Sequence, residues 1–337
     1  MLLTLIVPTY NRADCLEALL KALVTELRGL EDQVRVIVGD NASVDRTPML
    51  TAAFYDAYRS CEVLRHASNL GADENFCHCV EKVDTRYFWI MGDDDLPKAG
   101  VIRLLVDLLR RETPDLVFLG AESREVLNGH EPDRPVTALA PVRVSRMAFA
   151  RKVHVNATFI STMVVNRETY RSSADPAPLR RFTGTSLVQL GWVFGVLRTG
   201  SRFMYLNPKC VLSMRGNSGG YAMLKVFGQN FAAIVEKAFG AEAGISRAII
   251  RRCAIMHLPG VVWGLRFDRI GDFDYEEPSS TLRPQLHSFL SYWLLLVPIS
   301  SLPKLLAWFP LKIARGLSMA ITLQDRSLEW FGRAIQR

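Results

Sequence analysis

Tyr87-Phe88-Trp89-Ile90-Met91-Gly92-Asp93-Asp94-Asp95 sets five large apolar residues directly before three carboxylates. An aromatic and branched run of this length reads as a strand buried on both faces, with the acids emerging at its carboxyl end. Outward from it, residues 2–7, 34–38, 62–66 and 116–119 read as further strands, and residues 13–27, 47–59, 73–83 and 97–111 carry apolar side chains at helical spacing. Strands separated by helices imply an α/β fold: a mostly parallel sheet with helices on both faces.

Open sheets of this kind bind ligands beyond the carboxyl ends of their strands. Four such ends carry unusual polar residues: Pro8-Thr9-Tyr10-Asn11-Arg12, Gly39-Asp40-Asn41-Ala42-Ser43-Val44-Asp45, Asn69-Leu70-Gly71-Ala72-Asp73 and Gly92-Asp93-Asp94-Asp95. In a parallel sheet all four open on one edge. Three adjacent carboxylates repel one another, and a divalent cation would offset that repulsion. Mg²⁺ and Mn²⁺ prefer carboxylate oxygens and bridge to substrate phosphates. One Asp would suffice to cap the next helix, so three exceed that need. Asp40 could accept a hydrogen bond from a nucleobase and Tyr10 could stack on it, although both types are also ordinary in turns.

The combination resembles the family 2 glycosyltransferases of the GT-A fold over roughly residues 1–120. The matching stretches are Ile6-Val7-Pro8-Thr9-Tyr10-Asn11-Arg12, Val38-Gly39-Asp40-Asn41-Ala42-Ser43-Val44-Asp45-Arg46-Thr47, Asn69-Leu70-Gly71 and Trp89-Ile90-Met91-Gly92-Asp93-Asp94-Asp95. Within that family the chain looks most similar to bacterial O-antigen and capsule enzymes of the abequosyltransferase type. The resemblance implies a nucleoside-diphosphate sugar donor and a glycan acceptor, lipid-linked through a polyprenyl diphosphate. It implies a nucleotide pocket lined by Pro8, Thr9 and Tyr10, with Arg12 near the phosphates. Asp40 would hold the base with Asn41 beside it, and Asn69 and Gly71 would flank the nucleotide. Asp93 and Asp94 would contact the donor. Asp93 and Asp95 would hold Mn²⁺ or Mg²⁺, Asp95 being the principal ligand.

The acceptor half departs from the family pattern. Inverting members carry Glu-Asp before a helix there, the Asp acting as general base. The comparable stretch here, Arg181-Phe182-Thr183-Gly184-Thr185-Ser186-Leu187-Val188-Gln189-Leu190, has no carboxylate. A hydroxyl is a poor base at neutral pH without a partner. Asp73, Glu74, His154 and Asp175 are the candidates, and both His154 and His257 are equally read as structural. Two other readings compete with this one. A nucleotidyltransferase lacks support because no Gly-rich loop bearing Arg or Lys stands at the N-terminus. A non-catalytic GT-A binding protein is the reading that the missing Glu-Asp keeps open.

Residues 1–220 are expected to form the catalytic domain, with residues 1–120 as its nucleotide-sugar half and 121–220 as its acceptor half. Residues 121–141 read as a surface loop, 158–165 and 202–206 as strands, and 185–197 as a helix. Residues 221–337 read as a helical C-terminal region. The net charge is +7, yet residues 1–100 hold 10 Lys/Arg against 16 Asp/Glu, so the surplus of cations lies beyond them. Residues 281–337 hold seven Lys/Arg against two acids and alternate apolar-aromatic stretches with prolines. That pattern fits helices lying on an anionic membrane surface, or else a cap or homo-oligomer contact. No zinc-finger, RNP or helix-turn-helix signature points to nucleic acid. The six cysteines form no C-x-x-C pair and read as reduced thiols, and the N-terminus lacks the charged and apolar regions of a signal peptide. A cytoplasmic chain, peripheral at the inner face of the bacterial plasma membrane, is the expectation.

Overall fold

A computed structural model describes residues 1–124, 135–173, 179–214, 220–240, 242–268, 273–274 and 276–335. Asp175 lies outside them. The chain divides into two compact units, Met1–Phe149 with Asn156–Arg215, and Ala150–Val155 with Gly216–Arg337.

The first unit begins β1 (Leu3–Thr9), α1 (Ala13–Glu26), β2 (Val34–Asp40), α2 (Thr47–Ala57), β3 (Cys61–Arg65), α3 (Ala72–Glu81) and β4 (Tyr87–Ile90). It continues β5 (Asp95–Pro97), α4 (Val101–Glu112), β6 (Leu116–Phe118), β7 (Ala121–Arg124), β8 (Ala140–Val144), α5 (Arg146–Val153), β9 (Met163–Asn166), α6 (Arg167–Arg171), α7 (Leu190–Thr199), β10 (Phe203–Asn207) and β11 (Val211–Met214). Eight strands form one sheet in the order β3-β2-β1-β4-β9-β6-β10-β8. β1 to β4 run parallel, as do β6 and β10. β9 is antiparallel between β4 and β6, and β8 is antiparallel at the edge. The sheet is therefore mixed around a parallel half.

Every residue of β1 is buried, and Leu16, Leu19, Leu20 and Leu23 of α1 pack with Leu5, Val36 and Trp89 in one core. Each such side chain removed from water contributes roughly 1.5–3 kcal/mol. Gly39 lets α3 approach β2. A Cβ there would stand 2.4 Å from Cys79 Sγ and 2.8 Å from Asn75 Oδ1. Asn75 uses the gap, donating from Nδ2 to the Gly39 carbonyl at 2.9 Å.

Four sequence expectations shift. Residues 121–141, read as a surface loop, hold β7 at Ala121–Arg124 and the start of β8 at Ala140, each paired with a strand more than fifty residues later. The helix expected from residue 97 starts at Val101, because Gly100 takes a left-handed φ of 82° that cannot extend a helix backwards. Asp95–Pro97 instead pairs with β11 in a second, three-stranded sheet, β5-β11-β7. Residues 158–165 hold a strand only from Met163, after 3₁₀ turns at His154–Thr158 and Ile160–Thr162. The helix expected from 185 begins at Leu190, since Gly184 and Ser186 both take positive φ.

The second unit is helical among its described residues: α8 (Phe231–Phe239), α9 (Ala243–Met256), α10 (Leu258–Trp263), α11 (Pro278–Leu286), α12 (Val297–Ser301) and α13 (Lys304–Ile335). The helical run Ala243–Asp268 is long and apolar enough to cross a membrane by length and composition, but 56% of its apolar window is buried inside the protein. In this unit His154 is buried and His257 is half-buried, its ring being the part that is shielded from water. Burial, with help from His257 and Arg252, pushes His154 down to about 3, and burial pushes His257 down to about 4. Nδ1 of His154 and Nε2 of His257 have no hydrogen-bond partner. Nearby, Arg252 grips Asp325 with both Nη atoms, at 2.5 and 2.9 Å.

Both imidazoles are thus neutral in the fold, whereas the unfolded chain takes up their protons below about pH 6.5. Stability from this source is complete above that pH and is lost as pH falls toward 4, because the unfolded state then binds more protons. Asp93 and Asp95, raised by burial, give the opposite slope between about pH 4 and 7. Urea unfolding at pH 7.5 and 5 should therefore show a larger acid-side loss for the wild type than for His154→Gln/His257→Gln, and identical losses would remove the imidazole contribution.

Candidate active site

The ends of β1, β2 and β4 and the loop after β3 meet in the first unit through a mesh of short hydrogen bonds. Asn41 is the knot on one side. Its Nδ2 donates to Asn69 Oδ1 at 2.8 Å and to the Gly71 carbonyl at 3.3 Å, and its Oδ1 accepts from the Leu70 N–H at 2.9 Å. Asn11 and Ser43 tie the first loop to the second: Asn11 N donates to Ser43 Oγ, and Val44 N donates to Asn11 Oδ1. Asn11 and Ala42 both sit at positive φ, 52° and 66°, a strain of the kind found at ligand sites.

Asp40 accepts from the Ser43 N–H through Oδ1, while its buried Oδ2 has no hydrogen-bond partner and lies 3.6 Å from Arg65 Nε. It lines an open cleft of about 540 Å³ with Thr51, Tyr55, Cys61 and Arg65. Tyr10 is partly exposed, and Pro8 and Thr9 are buried.

The three carboxylates after β4 go separate ways. Asp93 accepts from Thr9 Oγ1 at 2.8 Å and from Arg12 Nη1 at 2.8 Å, and the other arm of the Arg12 fork reaches Asp94 Oδ2 at 2.8 Å. Burial still pushes Asp93 up to about 6 against the pull of Arg12 and Thr9. Asp95 turns into β5 and accepts from the Ser161 hydroxyl. Ser161 is fixed in turn, since its Oγ accepts from the Gly92 N–H and its carbonyl accepts from Trp89 Nε1 at 2.8 Å. Burial pushes Asp95 up to about 7 against the Ser161 and Ser213 hydroxyls. Among the described residues Asp95 has no cationic partner.

No group of three or more His, Cys, Asp or Glu is arranged to hold a metal among the described residues. The donor set therefore makes no all-protein cage. A buried carboxylate with no counterion, beside a second one, instead fits Mg²⁺ or Mn²⁺ bound by one or two carboxylates and completed by substrate phosphates. Sequence reasoning missed Ser161. Its signal is a hydroxyl inside the apolar run Phe159-Ile160-Ser161-Thr162-Met163, where it is fully buried.

The segment without a carboxylate is borrowed by one. Asp73, at the start of α3, accepts through Oδ2 from the N–H groups of Gly184 (2.8 Å) and Ser186 (3.0 Å). Burial raises its pKa against those N–H groups. Glu74 pairs with Arg180 at 3.2 Å, and Arg180 also bonds Glu81. Cys77 Sγ donates to the Leu179 carbonyl. Cys77 and Cys79 are buried thiols. His154 does not join this set, being buried in the second unit.

Removing the Asp73 carboxylate should free the N–H groups of exposed Gly184 and Ser186 to water, a net loss of about 0.5–1.5 kcal/mol per hydrogen bond. Asp73→Ala should lower stability in urea by about that much and speed tryptic cleavage at Arg180 and Arg181. Unchanged cleavage would show that the loop holds without it.

Residues 4–170 match the model of the glycosyl transferase family 2 domain. The abequosyltransferase RfbV of Salmonella typhimurium is 24% identical over 232 residues, covering 66% of this chain and 68% of that protein. The crystal structure of S. aureus TarS 1–349 with UDP-GlcNAc superposes with a TM-score of 0.63 at 14% identity, over 99% of this chain and 92% of that one. The same protein with UDP gives 0.60 at 15% identity, over the same shares. The chain is a glycosyltransferase of family 2, with that family's domain at residues 4–170.

Proposed function

We propose that this enzyme moves a sugar from a nucleoside-diphosphate sugar to a hydroxyl of a polyprenyl-diphosphate-linked glycan, in the synthesis of a bacterial surface polysaccharide such as O-antigen or capsule. The observation that carries the reading is Asp95: a buried carboxylate without a cation, at the edge where four strand-end loops are bound together. The donor chemistry is supported by TarS, whose structures hold UDP and UDP-GlcNAc, and the polysaccharide role by RfbV, an abequosyltransferase.

In this reading residues 1–120 take the donor and 121–220 the acceptor. Asp40 Oδ2 accepts from the nucleobase, Tyr10 stacks on it, and Pro8 and Thr9 line the pocket floor. Asn41 holds Asn69 and Gly71 as its wall. Arg12, already forked onto Asp93 and Asp94, lies where the diphosphate charge accumulates. Asp95 and Asp93 would hold Mn²⁺ or Mg²⁺, which would supply Lewis-acid stabilisation of the diphosphate leaving group. Asp73 acts by positioning, since its Oδ2 is committed to the acceptor segment. Residues 221–337 serve the approach to the membrane, at its cytoplasmic face, where lipid-linked acceptors are displayed.

With nucleotide sugars and a lipid-linked acceptor, Asp95→Ala should lower transfer by on the order of a hundredfold or more. It should also abolish Mn²⁺-dependent thermal stabilisation by the nucleoside diphosphate, because a ligand that binds only the folded state raises the melting temperature. Full transfer by Asp95→Ala would sink the metal assignment. Release of pyrophosphate instead of nucleoside diphosphate would sink the reaction class.

A further inference from the structure

Twelve of the eighteen exposed large apolar side chains among the described residues lie between residues 290 and 323, all in the second unit. Within α13 they are not scattered. Ala307, Pro310, Leu311 and Ala314 are buried, at the i, i+3, i+4, i+7 spacing of a helix face packed on its own unit. Ser318, Ile321 and Thr322 continue that stripe half-buried. A surface helix should then turn a polar face outward. This one turns out Leu305 (84% exposed), Phe309 (58%), Ile313 (57%) and Leu323 (62%). Successive residues lie 100° apart, which puts these four on the side opposite the buried stripe.

The polar residues on the helix have a sign and a place. Between Lys304 and Gln324 there is no Asp or Glu, and the charges are Lys304, Lys312 and Arg315. Lys304 pairs with Asp268 at 3.6 Å, and helical spacing sets Lys312 and Arg315 with Trp308 along one flank of the apolar strip. The Lys312 ammonium sits 4.8 Å from the Trp308 ring centre, with its stem along the helix and its charge at the rim. The neighbouring segment Tyr292–Leu296 packs against α13 and adds exposed Trp293 and Leu294.

We infer that the outward face of α13 is a membrane-docking surface that lies in the headgroup region of an anionic bilayer. The apolar strip, from residue 304 to 324, is about 30 Å long. Interfacial helices bury such a strip to roughly 5–10 Å and draw anionic headgroups to their cations. A second copy of the chain is the other occupant to weigh. A two-fold contact through this strip would bring the same cationic flank from each copy into one interface, and no acid on the helix stretch offsets it. Charge complementarity therefore favours lipid. The surface serves the proposed lipid-linked acceptor by holding the enzyme where that acceptor lies, but its binding is measured without any sugar transfer.

The test uses the full chain and extruded vesicles of phosphatidylcholine, with and without phosphatidylglycerol. The wild type should co-sediment with the phosphatidylglycerol vesicles, release as salt rises, and show tryptophan quenching by brominated lipid that weakens in Trp308→Phe. Phe309→Glu/Ile313→Glu should weaken vesicle binding by about tenfold or more while leaving the melting temperature and the transfer of sugar to a detergent-solubilised acceptor unchanged. Lys312→Glu/Arg315→Glu should erase the preference for phosphatidylglycerol. No vesicle binding by the wild type, or equal binding by Phe309→Glu/Ile313→Glu, overturns the inference. So does a dimer by light scattering that this double variant converts to monomer without any vesicle binding. Loss of transfer with vesicle binding intact would count against the proposed function and leave the docking surface standing.

Discussion

Three carboxylates in a row at the end of a fully buried strand must be kept from repelling one another, and the way this is done organises the catalytic unit. A single guanidinium deals with two of them. Arg12, from the loop after β1, spans Asp93 and Asp94, so the charge of the fourth strand's loop is answered from the first. Neighbouring parallel strands make that possible. β1 and β4 are paired in register from Leu3 with Tyr87, so their carboxyl ends finish side by side. Asp95 is turned by the chain into a different sheet, yet the charges of Asp94 and Asp93 still add to the burial that raises its pKa.

This arrangement leaves an asymmetry. Asp93 accepts one side-chain hydrogen bond on each oxygen, from Thr9 and from cationic Arg12, and burial still raises it to about 6. Asp95 has hydroxyl partners alone and is raised further, to about 7. Hydroxyls solvate a carboxylate but do not neutralise it, and burying an unneutralised charge is costly. The expense is concentrated at one atom group, where a cation and a diphosphate would relieve it. The rest of the edge is built to be rigid before any ligand arrives, since Asn41 alone fixes Asn69, Leu70 and Gly71.

Residues 1–120 were legible because their signals are local. A strand's apolar run and the polar residues at its end are contiguous, and parallel pairing forces such ends together whatever the details. The helices α1 to α3 began and ended within a few residues of their apolar spacing. What the sequence hid depends on pairing between distant segments. Asp95 entering a strand needs β11, more than a hundred residues later. Ser161 becomes meaningful only once β9 inserts antiparallel between β4 and β6.

The acceptor segment shows the same limit more sharply. Read along the chain, residues 181–190 lack a carboxylate. Read in space, they have one, lent by Asp73 from more than a hundred residues upstream. The loan runs through the backbone: the carboxylate satisfies the N–H groups of a loop that Gly184 and Ser186 bend into left-handed geometry. Since α3 also carries Asn75, which donates to the Gly39 carbonyl, one short helix is fastened both to the end of β2 and to residues 179–186. Residues 181–190 carry no carboxylate of their own, so two of their backbone N–H groups depend on one from α3, and that element is in turn tied to the end of β2.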